Sequence, residues 1–266
     1  MKMTKRRSYP TDLTDAEWEI VEPLIPKPKR RGPKANVDVR EVLNGIFYFL
    51  HEGCQWRALP QDLPPWTTVS NYFRKWQRKG IWSRIQQKLQ SRLREEQGRN
   101  PEPSPGIIDS QEREDWRKKG EVYGYDGGKQ IKGRKRHILV DSQGLLLAVV
   151  VSEAKRHERV GGMALLLEVE SQLPNLSLIW VDAGYQGPNF SRAVEKLTQA
   201  QVEVVKRSSK AFEVLPRRWV VERTFAWLVQ NRRLVIDSEK LPEISEALIK
   251  VAMTRLMLKR LAMFSA

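Results

Sequence analysis

The amino-acid sequence predicts an α/β protein in two parts, a small all-helical domain (residues 1–100) and a larger α/β domain (residues 101–266). Apolar residues recur at helical spacing through the first hundred residues. After them, short apolar runs typical of strands alternate with helical stretches. Residues 100–106 carry three prolines, which disfavour both a helix and a central strand. We therefore place the domain boundary in this linker.

The helical domain is predicted to contain four helices. Thr14 precedes acidic residues and gives a capping signal for the first helix. Apolar positions between residues 39 and 50 predict the second helix, which should end at Gly53. The third and fourth helices, residues 67–79 and 81–96, are separated by Gly80 and form a helix-turn-helix layout.

The larger domain is predicted to alternate strands with helices. A hairpin should form around residues 141–144, because apolar runs flank a Gly-containing turn there. The predicted elements, in order, are strand 106–110, strands 136–140 and 145–151, helix 161–172, strand 177–182, helix 189–199, strand 202–205 and helix 216–229.

The composition excludes several classes of protein. At 266 residues with 40% hydrophobic content, the chain is long enough to bury a substantial core. Its longest apolar stretch, residues 145–151, is too short to cross a bilayer, and the first residues lead into no signal-peptide segment, so we expect a cytoplasmic protein without a membrane partner. The single cysteine and three scattered histidines leave no internal disulfide and no zinc cluster.

The net charge points to an anionic partner. Lysine and arginine number 47 against 32 acidic residues, which gives a formal charge of +15. A chain this basic has a polyanion as its default partner, and nucleic acid is favoured over a membrane surface.

Three carboxylates lie within apolar surroundings. Asp109 and Asp182 each follow an apolar strand, and Glu222 lies on a predicted helix. Ligand sites in α/β sheets lie beyond the carboxyl ends of strands, and burying unpaired carboxylates is costly. Two Mg²⁺ or Mn²⁺ ions about 4 Å apart would suit this oxygen donor set and would promote phosphoryl transfer. Taken singly, each acid is more often a loop cap or an arginine partner.

Three segments resemble the DDE transposases of bacterial insertion sequences, specifically the insertion-sequence-five family. They are residues 125–141, residues 181–187 (VDAGYQG) and residues 215–228 (LPRRWVVERTFAWL). Residues 13–18 and 53–60 are similar to the N-terminal region of that family. The resemblance implies a ribonuclease H-like catalytic domain in which Asp109, Asp182 and Glu222 bind metal and catalyse DNA cutting and strand transfer. It also implies binding to terminal inverted repeats, as a homodimer or larger assembly on DNA.

The chain departs from the usual pattern of this family at several positions, including Gln186, which replaces a frequent arginine. Residues 112–116 place three acids shortly after Asp109, and Glu158 and Val160 stand where aspartates are usual. These departures keep open a second hypothesis, a non-catalytic DNA-binding protein derived from a transposase. A third hypothesis is a nuclease of the same fold that does not join strands.

Twelve polar and basic side chains are predicted to contact DNA. They belong to a proline-rich arm suited to a minor groove, to the outer face of the third helix, to the basic run before residue 137, and to the surroundings of Glu222. They are Arg30, Arg31, Asn71, Arg74, Lys75, Arg78, Lys132, Arg134, Lys135, Arg136, Arg218 and Arg223. Alternatives remain for three of these groups: a dimerisation helix for the third helix, a solvated surface for the basic run, and pairing with Glu222 for Arg218 and Arg223.

Overall fold

The computed structural model describes residues 6–26, 37–115, 122–169, 173–205 and 216–264, and the side chains of residues 216–218 lie outside this description. The α-helices are α1 (Asp15–Val21), α2 (Val39–Glu52), α3 (Trp66–Arg78), α4 (Ile81–Glu96), α5 (Glu158–Val169), α6 (Pro188–Thr198), α7 (Pro216–Val229) and α8 (Pro242–Ala262). The strands are β1 (Pro105–Glu114), β2 (Gly124–Asp126), β3 (Ile131–Asp141), β4 (Leu146–Glu153), β5 (Leu178–Val181) and β6 (Gln201–Val204). Among the helices of these ranges, none has the length and apolarity needed to cross a membrane.

The ends of the first helices follow the predicted chemistry. Thr14 and Glu17 form a reciprocal capping box at the start of α1. Gly53 ends α2 in the left-handed conformation, with φ of 69°. The predicted threonine cap of α3 is wrong, because the helix begins at Trp66 and Pro65 occupies the cap position without a side-chain hydrogen bond.

The six strands form one mixed sheet. Its order is β2-β3-β1-β5-β6, and β4 pairs with β3. Strands β4, β3 and β1 are antiparallel, whereas β1, β5 and β6 are parallel. Strand β1 extends to Glu114, five residues past Asp109, because it continues to pair with β3. Asp109 therefore lies in the middle of this strand, not at its end as the sequence suggested.

Helices cover both faces of the sheet. Helices α5 and α6 pack on one face, where Ile108, Leu139 and Ile179 belong to their core. Helices α7 and α8 lie on the other face, and the core there runs without interruption into helices α1 to α4. Helix α8 contacts both α4 and β4, so the N-terminal helices and the sheet share one hydrophobic core.

A buried ion pair joins α4 to the β3–β4 hairpin. Arg94 Nη1 lies 2.5 Å from Asp141 Oδ2, and the Asp141 side chain is fully buried. The other carboxylate oxygen accepts hydrogen bonds from the backbone N–H groups of Gln143 and Leu145, which fixes the turn. One carboxylate thus holds the hairpin turn and attaches the N-terminal helices to it.

Helix α5 approaches the sheet closely because it carries two adjacent glycines. A Cβ on Gly161 would lie 2.1 Å from the ring of His137, and one on Gly162 would lie 2.9 Å from Tyr185. His137 is fully buried, and its Nε2 lies 2.9 Å from the Ser152 hydroxyl oxygen. Burial, together with the nearby Lys135 charge, lowers the pKa of His137 to about 4, so this histidine is neutral at physiological pH.

We expect Gly161→Ala to lower the free energy of unfolding by about 1–3 kcal/mol, the usual cost of overpacking a core. An alanine in an unhindered helix interior would instead raise stability by roughly 0.5–1 kcal/mol. Gly127→Ala is the control, because a Cβ there meets nothing within 4 Å. Urea denaturation measures both variants, and a Gly161→Ala variant as stable as the wild type would contradict the close packing of α5.

A carboxylate of α8 satisfies the backbone of β4. Glu246 Oε1 accepts a hydrogen bond of 2.9 Å from the N–H of Val151. Burial raises the pKa of Glu246 from 4.5 to about 7, although this hydrogen bond and Lys250 oppose the shift. The folded state therefore binds a proton more tightly than the unfolded state, and stability falls as pH rises from about 4.5 through 7.

We expect Glu246→Gln to raise the free energy of unfolding by on the order of 2–3 kcal/mol at pH 8 and to change it little at pH 4. Glutamine keeps an oxygen that can accept the Val151 N–H and removes the buried charge. Denaturation of wild type and variant across this pH range tests the expectation. An equal difference at both pH values would show that Glu246 does not titrate in this window.

Candidate active site

Two of the three predicted catalytic carboxylates lie side by side. Strands β1 and β5 are parallel, with Ile107 opposite Trp180. Continuing this register by two residues sets Asp109 opposite Asp182, and neighbouring strands lie about 5 Å apart. Both aspartates line one cavity, which is closed on another side by Val221 of α7.

Backbone N–H groups orient both carboxylates. Asp109 Oδ1 accepts from the N–H of Ser110 at 2.7 Å. Asp182 Oδ1 accepts from the N–H of Gly184 at 2.9 Å and caps the short 3-10 helix Ala183–Tyr185. Both side chains are half-buried, so the cavity holds two oriented carboxylates that still reach solvent.

The third predicted carboxylate, Glu222, lies beside this cavity rather than in it. Glu222 is exposed on α7, one residue after Val221, which lines the cavity. In the part of the chain that the structure describes, no three histidine, cysteine, aspartate or glutamate side chains are grouped closely enough to hold a metal ion. The structure thus brings Asp109 and Asp182 together and places Glu222 on the helix that covers them.

The side chains at this cavity offer the type of donor atom that a hard divalent cation prefers. These donors are carboxylate oxygens, which Mg²⁺ and Mn²⁺ prefer to nitrogen or sulfur. Asp109 and Asp182 fit such an ion by sharing one cavity. Glu222 fits it in donor type and in position on the adjoining helix.

Comparisons with known proteins show which family the chain resembles. A family model described as "Transposase DDE domain" matches residues 100–257, more than half of the chain. The chain belongs to the transposase DDE domain family. A second family model, described as "Putative transposase of IS4/5 family", matches residues 13–86. The predicted resemblance to DDE transposases of insertion sequences is confirmed by these matches.

Two curated relatives of this DDE-domain chain come from Burkholderia cepacia. The "Putative transposase for insertion sequence element IS402" is 29% identical over 130 residues, which cover 45% of the chain and 60% of the relative. The "Insertion element IS402 uncharacterized 16.2 kDa protein" is 35% identical over 88 residues, covering 31% of the chain and 60% of the relative. The chain therefore spans about three fifths of each relative. No solved structure shows significant similarity to it.

Sequence reasoning did not assign a role to Glu158, which the structure places beside Asp182. A Cβ on Gly184 would lie 1.7 Å from Glu158 Oε2, so the carboxylate rests directly on this glycine. Burial, and then the charge of Asp182, raises the pKa of Glu158. The only signal in the sequence was that glutamate replaces the usual aspartate at this position.

A buried tyrosine lies within electrostatic reach of the same acids. Burial, and then the charge of Asp109, raises the pKa of Tyr185 well above its ordinary value. The Ser110 hydroxyl opposes this shift, yet neither buried hydroxyl makes a well-formed hydrogen bond to another protein group. The Tyr185 ring packs at 5.6 Å from that of Phe190, so Tyr185 belongs to the core beneath the carboxylates.

The basic run of β3 is mostly buried. Arg134 is 1% exposed and donates to the carbonyls of Val122, Glu239 and Lys240. Lys135, also buried, lies 3.1 Å from Glu112 Oε1. As placed, neither side chain can contact a DNA phosphate without breaking these bonds, so the expected phosphate contacts of Arg134 and Lys135 are not supported.

The other expected DNA contacts have different positions. Lys132 is exposed, whereas Arg136 is buried and lines a cleft near α8. Arg223 lies between the rings of Trp219 and Trp227 and donates to the Gln143 carbonyl at 2.9 Å, so it attaches α7 to the β3–β4 hairpin. The outer face of α3 is exposed at four expected positions, which are Asn71, Arg74, Lys75 and Arg78. Arg30 and Arg31 lie outside the described residues, as does the side chain of Arg218.

We expect Tyr185→Phe to leave the free energy of unfolding within about 1 kcal/mol of wild type, or to raise it, because the hydroxyl has no well-formed hydrogen bond to lose. Tyr9→Phe is the matched control, since the Tyr9 hydroxyl donates to Asp62 Oδ1 at 2.9 Å. That variant should lose about 0.5–1.5 kcal/mol. Thermal or urea denaturation distinguishes the two, and a larger loss for Tyr185→Phe would reveal a hydrogen bond at the Tyr185 hydroxyl.

Proposed function

We propose that the chain is a DNA transposase that cuts and joins strands at Asp109, Asp182 and Glu222 with divalent metal ions. The observation that carries this proposal is the strand register that sets Asp109 opposite Asp182 in one cavity. The membership of residues 100–257 in the transposase DDE domain family supports it. A terminal inverted repeat is the proposed substrate, and a homodimer or larger assembly on DNA is the proposed active form.

The proposed catalytic fold is ribonuclease H-like, and the topology supports this assignment. The sheet joins the antiparallel strands β4, β3 and β1 to the parallel strands β1, β5 and β6. Strand β1 is common to both sets, and helices cover both faces. Strand β1 lies centrally in this sheet, with one acid on it and another directly after its parallel neighbour β5. Strands β1 and β5 have this relationship through Asp109 and Asp182.

Asp109, Asp182 and Glu222 would hold the metal, with two ions expected. When bound, divalent ions supply activation of a water or 3′-hydroxyl and stabilisation of the leaving oxygen during in-line attack on phosphorus. The protein contributes orientation, because the N–H groups of Ser110 and Gly184 fix the two aspartates. Helix α7 contributes Glu222, and the contact of Arg223 with Gln143 fixes this helix beside the cavity.

We propose that the N-terminal helices recognise the element ends. In α3, Val69, Phe73 and Trp76 are buried while Asn71, Arg74, Lys75 and Arg78 are exposed. A helix with one buried face and a polar, basic outer face suits the recognition helix of a helix-turn-helix, with α4 as its neighbour. We place the boundary between this DNA-binding domain and the catalytic domain at residues 100–101. The core shared with the sheet would keep their relative orientation fixed.

We expect Asp182→Asn to reduce metal-dependent cleavage of DNA carrying the element ends by about 100-fold or more. Changes to outer partners of metal ligands already cost about 10–100-fold, so loss of a ligand should cost at least the upper value. Asparagine keeps the oxygen that accepts the Gly184 N–H, and the fold should be retained. Glu195→Gln, an exposed acid on α6, is the control and should cleave at the wild-type rate.

Two further assays separate this function from its rivals. End-specific DNA binding without any metal-dependent product in the wild type would indicate a non-catalytic DNA-binding protein. Pre-cut ends supplied with target DNA distinguish a transposase, which joins them, from a nuclease, which does not. If the Asp182→Asn variant cleaved the DNA at the wild-type rate, the proposed metal site would be wrong.

A further inference from the structure

The face of β1 that carries Asp109 continues into a cleft lined with arginines. Side chains alternate along a strand, so Gln111 and Arg113 lie on the same face as Asp109, and Gln111 is about 7 Å along the strand from it. Arg136 lies opposite Gln111 on β3. Arg113, Arg134, Arg136 and Arg233 contribute to the walls of this cleft.

Two of these four arginines have carboxylate partners. Arg134 Nη1 lies 3.2 Å from Asp237 Oδ1, and Arg233 Nη2 lies 2.5 Å from Glu239 Oε1. Both acids also line the cleft. These pairs account for half of its guanidinium charge.

The other two arginines converge on a neutral group. Arg113 Nη2 lies 2.5 Å from Gln111 Oε1, and Arg136 Nε lies 3.1 Å from the same oxygen. Among the residues that the structure describes, neither Arg113 nor Arg136 forms an ion pair with a carboxylate. Arg113 Nε is buried without an acceptor, and Arg136 is only 4% exposed.

This arrangement is unfavourable for the protein alone. Burial lowers the pKa of both arginines, and the Arg113 charge adds to the effect at Arg136, whose pKa is lowered to about 9. The Phe225 ring, 5.4 Å from the Arg136 guanidinium, and the Leu234 carbonyl, 3.2 Å from Nη1, offset part of the cost. Two like charges still share one amide oxygen, and an anion between them would relieve the repulsion.

We propose that Arg113 and Arg136 form a binding site for a phosphate group, with Gln111 holding the two guanidiniums in position. Planar guanidinium groups present paired N–H donors that match phosphate oxygens. The group is either a backbone phosphate of a DNA strand beside Asp109 or a free phosphate ion. The first source rests on the proposed transposase function, whereas the site itself does not.

Thermal unfolding of the full chain in phosphate and in chloride, at equal ionic strength and without divalent metal, tests the site. Phosphate should raise the midpoint of the wild type, and Arg113→Gln should weaken the apparent phosphate affinity at least tenfold. Arg192→Gln, an exposed arginine on α6, is the matched control and should respond as the wild type does. Arg113→Lys keeps the positive charge but lacks the planar guanidinium group, so its phosphate affinity should lie between those of the wild type and Arg113→Gln. This second variant tests the site even if Arg113→Gln folds poorly.

A competition experiment distinguishes the two sources of phosphate. If the site binds a backbone phosphate of DNA, Arg113→Gln should weaken the binding of a short single-stranded oligonucleotide. The slope of log affinity against log salt concentration should then fall by about one. For a free ion, oligonucleotide binding is unchanged while the phosphate response is lost. Equal stabilisation of wild type and Arg113→Gln by phosphate, or none in the wild type, overturns the proposal. Neither result depends on cleavage by the Asp109 and Asp182 pair.

Discussion

The double pairing of β1 determines the rest of the structure. It is antiparallel to β3 on one side and parallel to β5 on the other, and it is the only strand among those described that joins the two halves of the sheet. Its register with β5 brings Asp109 and Asp182 together. Its register with β3 brings Gln111 opposite Arg136. A slip of one residue would exchange the two faces of the strand and separate both pairs.

Alternation along β1 gives its two faces different chemistry. Ile107 joins the core beneath α7, and the cavity residue Asp109 and the arginine-bound Gln111 follow it at two-residue steps. Ile108 joins the core beneath α5, and the even-numbered positions after it carry Ser110 and Glu112. Glu112 is buried between Lys129 and Lys135 and thereby neutralises charge under the site. The acids after Asp109 were one of the departures that kept open the hypothesis of a non-catalytic protein. The structural role of Glu112 explains one of these acids.

The sequence predicted much of the fold because its signals are local. A capping box at Thr14, a left-handed glycine at residue 53 and the apolar runs of β4 and β5 each depend on a few adjacent residues. The burial of Arg134 and Lys135 could not be read in this way. A run of charges is normally solvated, and their partners, Asp237 and the carbonyls of residues 239–240 for one and Glu112 for the other, are distant in sequence. The sequence also did not predict the full length of β1, because residues 111–114 show no alternation of apolar and polar side chains.

The acids of the candidate site could be predicted from the sequence, but the residues that surround them could not. An aspartate after an apolar strand is visible in the sequence, whereas Glu158 resting on Gly184 requires the approach of α5 that Gly161 and Gly162 permit. The surroundings also place opposite charges near two points of β1. The carboxylates of Asp109 and Asp182 lie at one point, and the guanidiniums of Arg113 and Arg136 meet at Gln111, about 7 Å further along the strand. Carboxylates alone repel a phosphate backbone, and arginines alone would bind it without aligning it to the acids. In the proposed complex, this order of acids and arginines would give a DNA strand a single favourable register relative to the two aspartates.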